Sequence, residues 1–340
     1  MARSVQSLPK AHLHLHFTGS MRPATLVSLA DKHSMRLPEA LTRSWPPKLS
    51  ATDERGWFRF QRLYDTARAC VRDEADMRRI VREAALDDAA EGSRWLEIQV
   101  DPTSYAPFVG GITPALEIIL DEARSASAEA GIGVAVVVAA NRIRHPLDAR
   151  ILARLAAHHA GDGPGQVVGF GLSNDERRGT TAEFGPAFDI ARRAGLACVP
   201  HGGELLGAEA VRETLDTLGP DRLGHGIRSA EDPRVLAEVV RRGVTLEVCP
   251  GSNVALGVYG GAGDVPLRQL IEAGAQIALG ADDPLLFGTR LNAQYDTART
   301  VHGLTDIELA ELARGSVRGS RAPVTTQRQM LADIDGWLAT

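Results

Sequence analysis

The chain has 340 residues, of which 44% are hydrophobic and only 5% are aromatic, so it can bury a large core in one or two domains. Its formal net charge of −5 argues against general binding to nucleic acid or to membrane surfaces. Because no apolar run is long enough to span a membrane and no apolar segment follows Met1, we expect a cytoplasmic protein.

Short strand-like runs alternate with helix-like segments along the chain. The predicted strands are residues 11–16, 95–100, 134–139, 167–172, 197–200, 222–225, 245–249 and 276–279. The predicted helices are residues 60–71, 77–90, 115–128, 147–158, 182–194, 208–218, 233–241, 267–273, 306–314 and 327–338. Continuous apolar strands separated by amphipathic helices indicate a parallel sheet that helices cover.

The eight predicted strands favour an α/β fold, namely a single (β/α)8 TIM barrel with extra helices after strand 1 and at the C-terminus. Residues 1–340 would then form one domain. An open, doubly wound sheet is the competing prediction. It would spread the strand ends along an edge, whereas a barrel brings them to a common mouth.

Unusual polar side chains fall at the carboxyl ends of the predicted strands. They are His14 and His16 after strand 1, His201 after strand 5, His225 after strand 6, and Asp282 with Asp283 after strand 8. Each of these alone is more often a cap or a satisfied core residue, but together they meet at the catalytic face of a barrel. Imidazoles and a carboxylate suit Zn²⁺, which lowers the pKa of a bound water to about 7. Glu204 lies three residues after His201 and is within reach to carry the proton.

Five segments form a pattern that is specific in combination. They are residues 8–16 (LPKAHLHLH) with Gly19-Ser20, residues 201–204 (HGGE), residues 224–226 (GHG), residues 247–250 (EVCP) with Ser252-Asn253, and residues 282–284 (DDP) with Phe287-Gly288. On these segments the whole chain resembles the adenosine deaminase family, the purine and nucleoside aminohydrolases of the amidohydrolase superfamily.

The resemblance implies a metal-dependent aminohydrolase with one Zn²⁺ per chain. The implied metal ligands are His14, His16, His201 and Asp282. Glu204 would protonate ring nitrogen N1 while water attacks C6, and His225 would orient and help activate that water. Asp282 would join these two in catalysis, and Asp283 would accept from, or share a proton with, N7. The implied substrate is a small 6-aminopurine nucleoside, with adenosine or 2′-deoxyadenosine in the lead, and the product is the inosine form plus ammonia.

Two positions depart from the family pattern in ways that concern the substrate. Thr18 stands where adenosine enzymes usually carry Asp and adenine enzymes often carry Glu, and a hydroxyl supplies no charge-assisted acceptor. Asn174 stands where a Gly backbone N–H usually meets ring N3. We therefore keep adenine and modified adenine nucleosides, such as aminodeoxyfutalosine-like or 5′-substituted ones, as alternative substrates.

Two further segments have two interpretations each. Four cations, Arg142, Arg144, Arg177 and Arg178, follow strands 3 and 4, and they are either solvated surface residues or a clamp for an anionic substrate tail. Residues 57–64 are either a hydrophobic lid over the substrate or a packed helix. His12 is expected to be structural.

Other classes of protein fit the sequence less well. A dinuclear amidohydrolase needs a carbamylated Lys after strand 4, but no Lys follows Lys48. Cytidine-type deaminases use a Pro-Cys-x-x-Cys segment, which the chain lacks. A protein that binds a purine or a metal without turnover is the non-enzymatic alternative, although all the implied ligands and the implied proton carrier are present.

Overall fold

Eight parallel strands form the centre of the molecule in the computed structural model, which describes residues 3–339. In chain order they are β1 (Lys10–His16), β2 (Ser93–Val100), β3 (Gly133–Asn141), β4 (Val167–Ser173), β5 (Ala197–Gly202), β6 (Arg222–His225), β7 (Thr245–Val248) and β8 (Ile277–Leu279). Each strand pairs in parallel with the next one in the chain. The predicted strands are confirmed, with shifts of one or two residues at half of their ends.

The ring of strands closes through the segment that follows β8. The backbone N–H of His16 donates to Asp282 O at 3.0 Å, and the N–H of Asp282 donates to His14 O at 2.9 Å. His12 reinforces this junction, because its ring lies 2.9 Å from an Asp88 carboxylate oxygen and its Nε2 accepts from the Ala281 N–H at 3.0 Å. The expected (β/α)8 barrel and the structural role of His12 are both confirmed.

Helices cover the outside of the barrel. They are α1 (Pro23–Lys32), α2 (Glu54–Ala69), α3 (Glu74–Ala90), α4 (Ala106–Val109), α5 (Ile112–Ala130), α6 (Pro146–His158), α7 (Gly185–Arg193), α8 (Ala208–Leu218), α9 (Pro233–Arg242), α10 (Pro250–Ala255), α11 (Leu267–Glu272), α12 (Pro284–Phe287), α13 (Leu291–Thr300), α14 (Asp306–Gly319) and α15 (Val324–Ala339). Among the described residues, no helix is both long and apolar enough to cross a membrane.

The expected extra helices after strand 1 and at the C-terminus are present. Sequence analysis missed α1, α4, α10, α12 and α13. Three of these have only four to six residues, and α4, α10 and α12 each begin with a Pro in the first turn, a position where Pro is well tolerated. A short helix after a strand end carries too little apolar periodicity to be recognised.

The interior of the barrel contains a charged cluster below its mouth. We call Arg222, Glu97 and Glu247, which come from β6, β2 and β7, the lower cluster. Arg222 donates to Glu247 at 2.6 Å and to Glu97 at 2.5 Å, and all three residues are buried. Two carboxylates therefore share one guanidinium in the centre of the barrel.

Candidate active site

The carboxyl ends of the strands carry the polar residues of the site. His14 lies two residues before the end of β1, and His16 is its last residue. His201 is in β5, and His225 is the last residue of β6. Asp282 follows β8 and takes part in closing the barrel. The sequence-predicted metal ligands and His225 therefore meet at one mouth, as the barrel topology requires.

The four candidate metal ligands lie close together. His16 Nε2 is 3.3 Å from His201 Nε2 and 3.3 Å from Asp282 Oδ1, and His14 Nε2 is 3.7 Å from the same oxygen. Tetrahedral ligands at ordinary zinc distances lie about 3.3 Å from one another. Their spacing fits one divalent ion.

The hydrogen bonds of His14 also fit a metal ligand. Its Nδ1 lies 2.7 Å from Glu247 Oε2, so the carboxylate accepts the ring proton and leaves a lone pair on Nε2. That Nε2 is buried and has no hydrogen-bond partner. A carboxylate behind an imidazole fixes the tautomer in many metal sites.

Burial keeps the other imidazoles neutral. Loss of solvation lowers the pKa of His16 to about 4 and that of His225 to about 3, and it lowers the pKa of His201 well below its usual value. A neutral imidazole is the form that binds a metal. At neutral pH the three rings are therefore able to donate lone pairs.

The two neighbouring aspartates differ in protonation. Burial works against ionisation of Asp282, but the rings of His225, His14 and His16 hold its pKa below the usual value. Burial and the charge of Asp282 raise the pKa of Asp283 well above the usual value. The ionised form is therefore favoured at Asp282, which makes that carboxylate available to a metal, and it is disfavoured at Asp283.

Glu204 lies beside His225 on the wall of the same cavity. Its Oε1 is 3.6 Å from His225 Nε2. Burial raises the pKa of Glu204 well above its usual value, and the charges of Asp282 and Glu176 add to the effect. A buried, protonated carboxylic acid is a suitable general acid at neutral pH.

One cavity at the mouth of the barrel is lined by His16, His201, Glu204, His225, Asp282 and Asp283. One wall consists of Trp57, Phe60 and Tyr64 from α2, together with Phe287, whose ring stacks on Phe60 at 5.9 Å between centroids. The segment 57–64 is thus a packed helix that also lines the cavity.

Thr18 and Asn174 also line the cavity. Thr18 Oγ1 lies 2.6 Å from the hydroxyl of Tyr105, and both residues are buried. Asn174 has a positive φ of 82°, as do His225 (64°) and Asp282 (61°). Backbone strain of this kind is concentrated at functional sites, and the three residues surround the same space.

The arginines after β3 and β4 do not line this cavity. Arg142 is buried and donates to His201 O at 2.7 Å, and Arg177 donates to Asp175 at 2.7 Å. Arg144 and Arg178 are exposed beside a separate surface depression. An arginine that sequence analysis did not select, Arg68 of α2, lines the cavity instead.

Sequence analysis assigned no role to three residues that support the site. Glu247 holds His14, Tyr105 holds Thr18, and Glu176 accepts backbone N–H groups from the turn after β5. Glu247 lies in one of the five recognised segments, which is a usable signal. Tyr105 and Glu176 come from loops whose positions only the fold determines.

The comparisons with known proteins cover nearly the whole chain. The family model described as adenosine deaminase matches residues 9–337. A "Putative adenosine/adenine deaminase" of Streptomyces virginiae is 64% identical over 337 residues, with 99% of this chain and 98% of that protein covered. An adenine deaminase of Sinorhizobium medicae is 35% identical, with 96% and 98% covered. The crystal structure of an adenine deaminase from Arthrobacter aurescens superposes with a TM-score of 0.89 at 27% identity, covering 98% of this chain and 99% of that one.

Proposed function

The chain belongs to the adenosine deaminase family and is a hydrolytic deaminase of adenosine- or adenine-type substrates, and from this premise we propose that it removes the 6-amino group of a purine nucleoside. The products would be the 6-oxo nucleoside and ammonia. We propose adenosine or 2′-deoxyadenosine as the substrate, and residues 1–340 as one catalytic domain. The chemistry at C6 is supported by one observation above all, the convergence of Glu204, His225 and Asp282 at the mouth of the barrel. Glu204 Oε1 lies 3.6 Å and Asp282 Oδ2 lies 3.8 Å from His225 Nε2.

When water attacks C6 of a purine, C6 becomes tetrahedral and the ring takes up the displaced electron pair. Protonation of the ring nitrogen stabilises this state. Glu204, whose pKa burial raises well above its usual value, would donate a proton to N1. Asp283, whose pKa burial and the charge of Asp282 raise, would share a proton with N7. His225, neutral and 3.6 Å from Glu204, would accept a proton from the attacking water and later support protonation of the leaving amine.

We propose that His14, His16, His201 and Asp282 hold one Zn²⁺ per chain. The ion would supply Lewis-acid activation of the attacking water. Two observations support this zinc site: the spacing of the four ligands, and the buried Nε2 of His14, which has no hydrogen-bond partner. Nitrogen and carboxylate ligands in this number suit zinc, although similar sites also take other first-row divalent ions.

Support for a nucleoside comes from the polar end of the cavity. Beyond the histidines it is lined by Thr18, Gln61, Arg68, Asp101 and Ser104. Asp101 Oδ2 is buried and has no hydrogen-bond partner, so a substrate hydroxyl would satisfy it. A base without a sugar would leave these groups unused.

Free adenine is a second candidate, and one contact favours it. Thr18 Oγ1 is already bonded to Tyr105 at 2.6 Å, so this hydroxyl is less available to a sugar. Adenine deaminases of rhizobia are also among the relatives at 32–35% identity. The two candidates differ only in whether the polar end of the cavity binds part of the substrate.

The test is ammonia release by zinc-loaded protein with adenosine, 2′-deoxyadenosine, adenine, 5′-substituted adenosines and guanine. A kcat/KM for adenosine at least tenfold above that for adenine supports the nucleoside, and the reverse ratio supports the base. Glu204→Gln, which lacks the proposed proton donor, is the low-activity control. No ammonia from any of these compounds would contradict both candidates.

Thr18→Val, with Tyr105→Phe as its matched partner, sharpens this test. If Thr18 binds the sugar, Thr18→Val should raise KM for adenosine about five- to tenfold, the value of one neutral hydrogen bond, and leave turnover of adenine unchanged. Tyr105→Phe keeps the Thr18 hydroxyl and should spare adenosine. Equal effects of Thr18→Val on both substrates would contradict a sugar contact.

A further inference from the structure

The turn that carries Glu204 is fixed by a side chain from a different part of the chain. It follows β5 and spans residues 203–206, immediately before α8. Gly203 has a φ of +74°, which lets the chain turn so that successive backbone N–H groups point to one side. Gly203 and Glu204 are buried and Leu205 and Leu206 are half-buried, so the N–H groups of this turn have limited access to solvent.

A single carboxylate accepts all four of them. Glu176, on the loop after β4, receives the backbone N–H groups of Gly203 (2.6 Å), Glu204 (2.9 Å), Leu205 (2.5 Å) and Leu206 (3.0 Å). Glu176 is itself buried, and of these charge-assisted bonds the two to Gly203 and Glu204 are buried while the two to Leu205 and Leu206 are part-buried. An aliphatic or amide side chain cannot accept four donors in this geometry.

A second side chain fixes the residue at the start of the turn. Arg142, from the end of β3, donates to the backbone oxygen of His201 at 2.7 Å. The guanidinium of Arg142 thus binds the segment 201–206 at His201, and the carboxylate of Glu176 binds it at residues 203–206. Burial lowers the pKa of the Arg142 guanidinium, and the negative charge of Glu176 opposes that effect.

We propose that Glu176 is a positioning residue for the proton donor. Its carboxylate fixes the turn 203–206 and thereby holds the Glu204 side chain over the site of the substrate ring. Glu176 does not touch the reacting atoms, since its oxygens are used by the turn. This inference rests on the proposed function, because it concerns the residue that would donate the proton.

The first test compares Glu176→Gln with Glu183→Gln, which replaces an exposed carboxylate on the same β4–α7 connection. In Glu176→Gln an amide NH₂ faces the N–H groups of the turn, so Glu204 loses its fixed position. We expect kcat to fall about 100-fold, the loss typical of a displacement of about 1 Å, with KM within threefold and zinc content unchanged. Glu183→Gln should match the wild type, and a wild-type kcat in Glu176→Gln would overturn the proposal.

A double mutant separates positioning from general structural support. If Glu176 acts through Glu204, adding Glu176→Gln to Glu204→Gln should lower the residual kcat by no more than about twofold. A further 100-fold loss in that background would overturn the proposal. Glu176→Asp keeps the charge but shortens the side chain, so it should give an intermediate kcat. It also replaces Glu176→Gln in this test if that variant does not fold.

Hydrogen exchange gives a readout that does not depend on activity. The amides of residues 203–206 should exchange at least tenfold faster in Glu176→Gln than in the wild type, and at the wild-type rate in Glu183→Gln. If the wild type deaminates no purine, the proposed function fails, but this comparison still tests whether Glu176 fixes the turn 203–206. Unchanged exchange at these four amides in Glu176→Gln would overturn the inference.

Discussion

The inside of the barrel contains two buried polar regions that differ in how completely they are paired. In the lower cluster, Arg222 Nη1 donates to Gly319 O at 2.9 Å, and its other nitrogens bond to Glu97 and Glu247. Glu97 also accepts from the Trp95 indole at 2.9 Å and the Arg321 N–H at 2.6 Å. Charged groups that are satisfied in this way hold strands together across the barrel.

The mouth of the barrel is just as buried but is left partly unpaired. Buried atoms without a hydrogen-bond partner include Nε2 of His14, Nδ1 of His201 and of His225, and Oδ1 of Asp283. Natural proteins rarely leave buried polar atoms in this state unless a ligand, water or ion satisfies them. The mouth of the barrel thus contains buried polar atoms without a protein partner, whereas the charged groups of the lower cluster are paired with one another.

His14 belongs to both regions. Its Nδ1 completes the lower cluster through Glu247, and its Nε2 faces the mouth. The lower cluster thus sets the orientation of a candidate metal ligand as well as stabilising the barrel. Changes in the two regions should separate stability from activity, and the following experiments test that separation.

Arg222→Met should have the largest effect on stability. It leaves Glu97 and Glu247 buried beside each other without their cation, which should cost about 3–5 kcal/mol of unfolding free energy. Urea unfolding measures this loss. Arg241→Met, which removes an exposed arginine on α9, is the control and should leave the midpoint unchanged. A loss no larger than that of the control would show that the lower cluster does not stabilise the barrel.

Gly224→Ala should have an intermediate effect, because it lies between the two imidazoles. A Cβ at this position would come within 2.9 Å of His201 Nδ1 and 3.0 Å of His14 Cε1. We expect a cost of about 1–3 kcal/mol from overpacking, together with weaker zinc binding as the rings move apart. Gly336→Ala, where a Cβ meets nothing within 4 Å, should leave zinc binding unchanged. Wild-type zinc affinity in Gly224→Ala would contradict this placement of the ligands.

Glu204→Gln should have the smallest effect on stability and a large one on activity. Burial disfavours the charged form of Glu204, so a neutral amide of the same shape should change the unfolding free energy by no more than about 0.5 kcal/mol. Loss of the proton donor should lower kcat about 10²–10⁴-fold with zinc retained. Unfolding curves and ammonia release on the same preparation measure both. A strongly destabilised but active variant would reverse the assignment of the two regions.

Much of this arrangement was predictable from the sequence, because strand ends in a barrel share one mouth. The periodic segments predicted the strands, and His14, His16, His201, His225 and Asp282 lie together where the topology places them. The sequence does not show which residue each polar side chain pairs with by a hydrogen bond or an ion pair.

The arginines after β3 and β4 illustrate that limit. Arg142 and Arg177 look like surface cations in the sequence, but the fold turns Arg142 inward to His201 O and pairs Arg177 with Asp175. The role of Glu176 likewise depends on four N–H groups that are 27–30 residues away. Long-range contacts of this kind are properties of the packed structure and leave no local pattern.

The most direct test of the central claim is to titrate metal-free protein with zinc and follow ammonia release from adenosine and adenine. The account predicts no activity without metal and a linear rise to a plateau at one zinc per chain. His201→Ala should remain inactive at the same zinc concentrations. Full activity in metal-free protein, or a plateau that needs two ions per chain, would contradict a single site formed by His14, His16, His201 and Asp282.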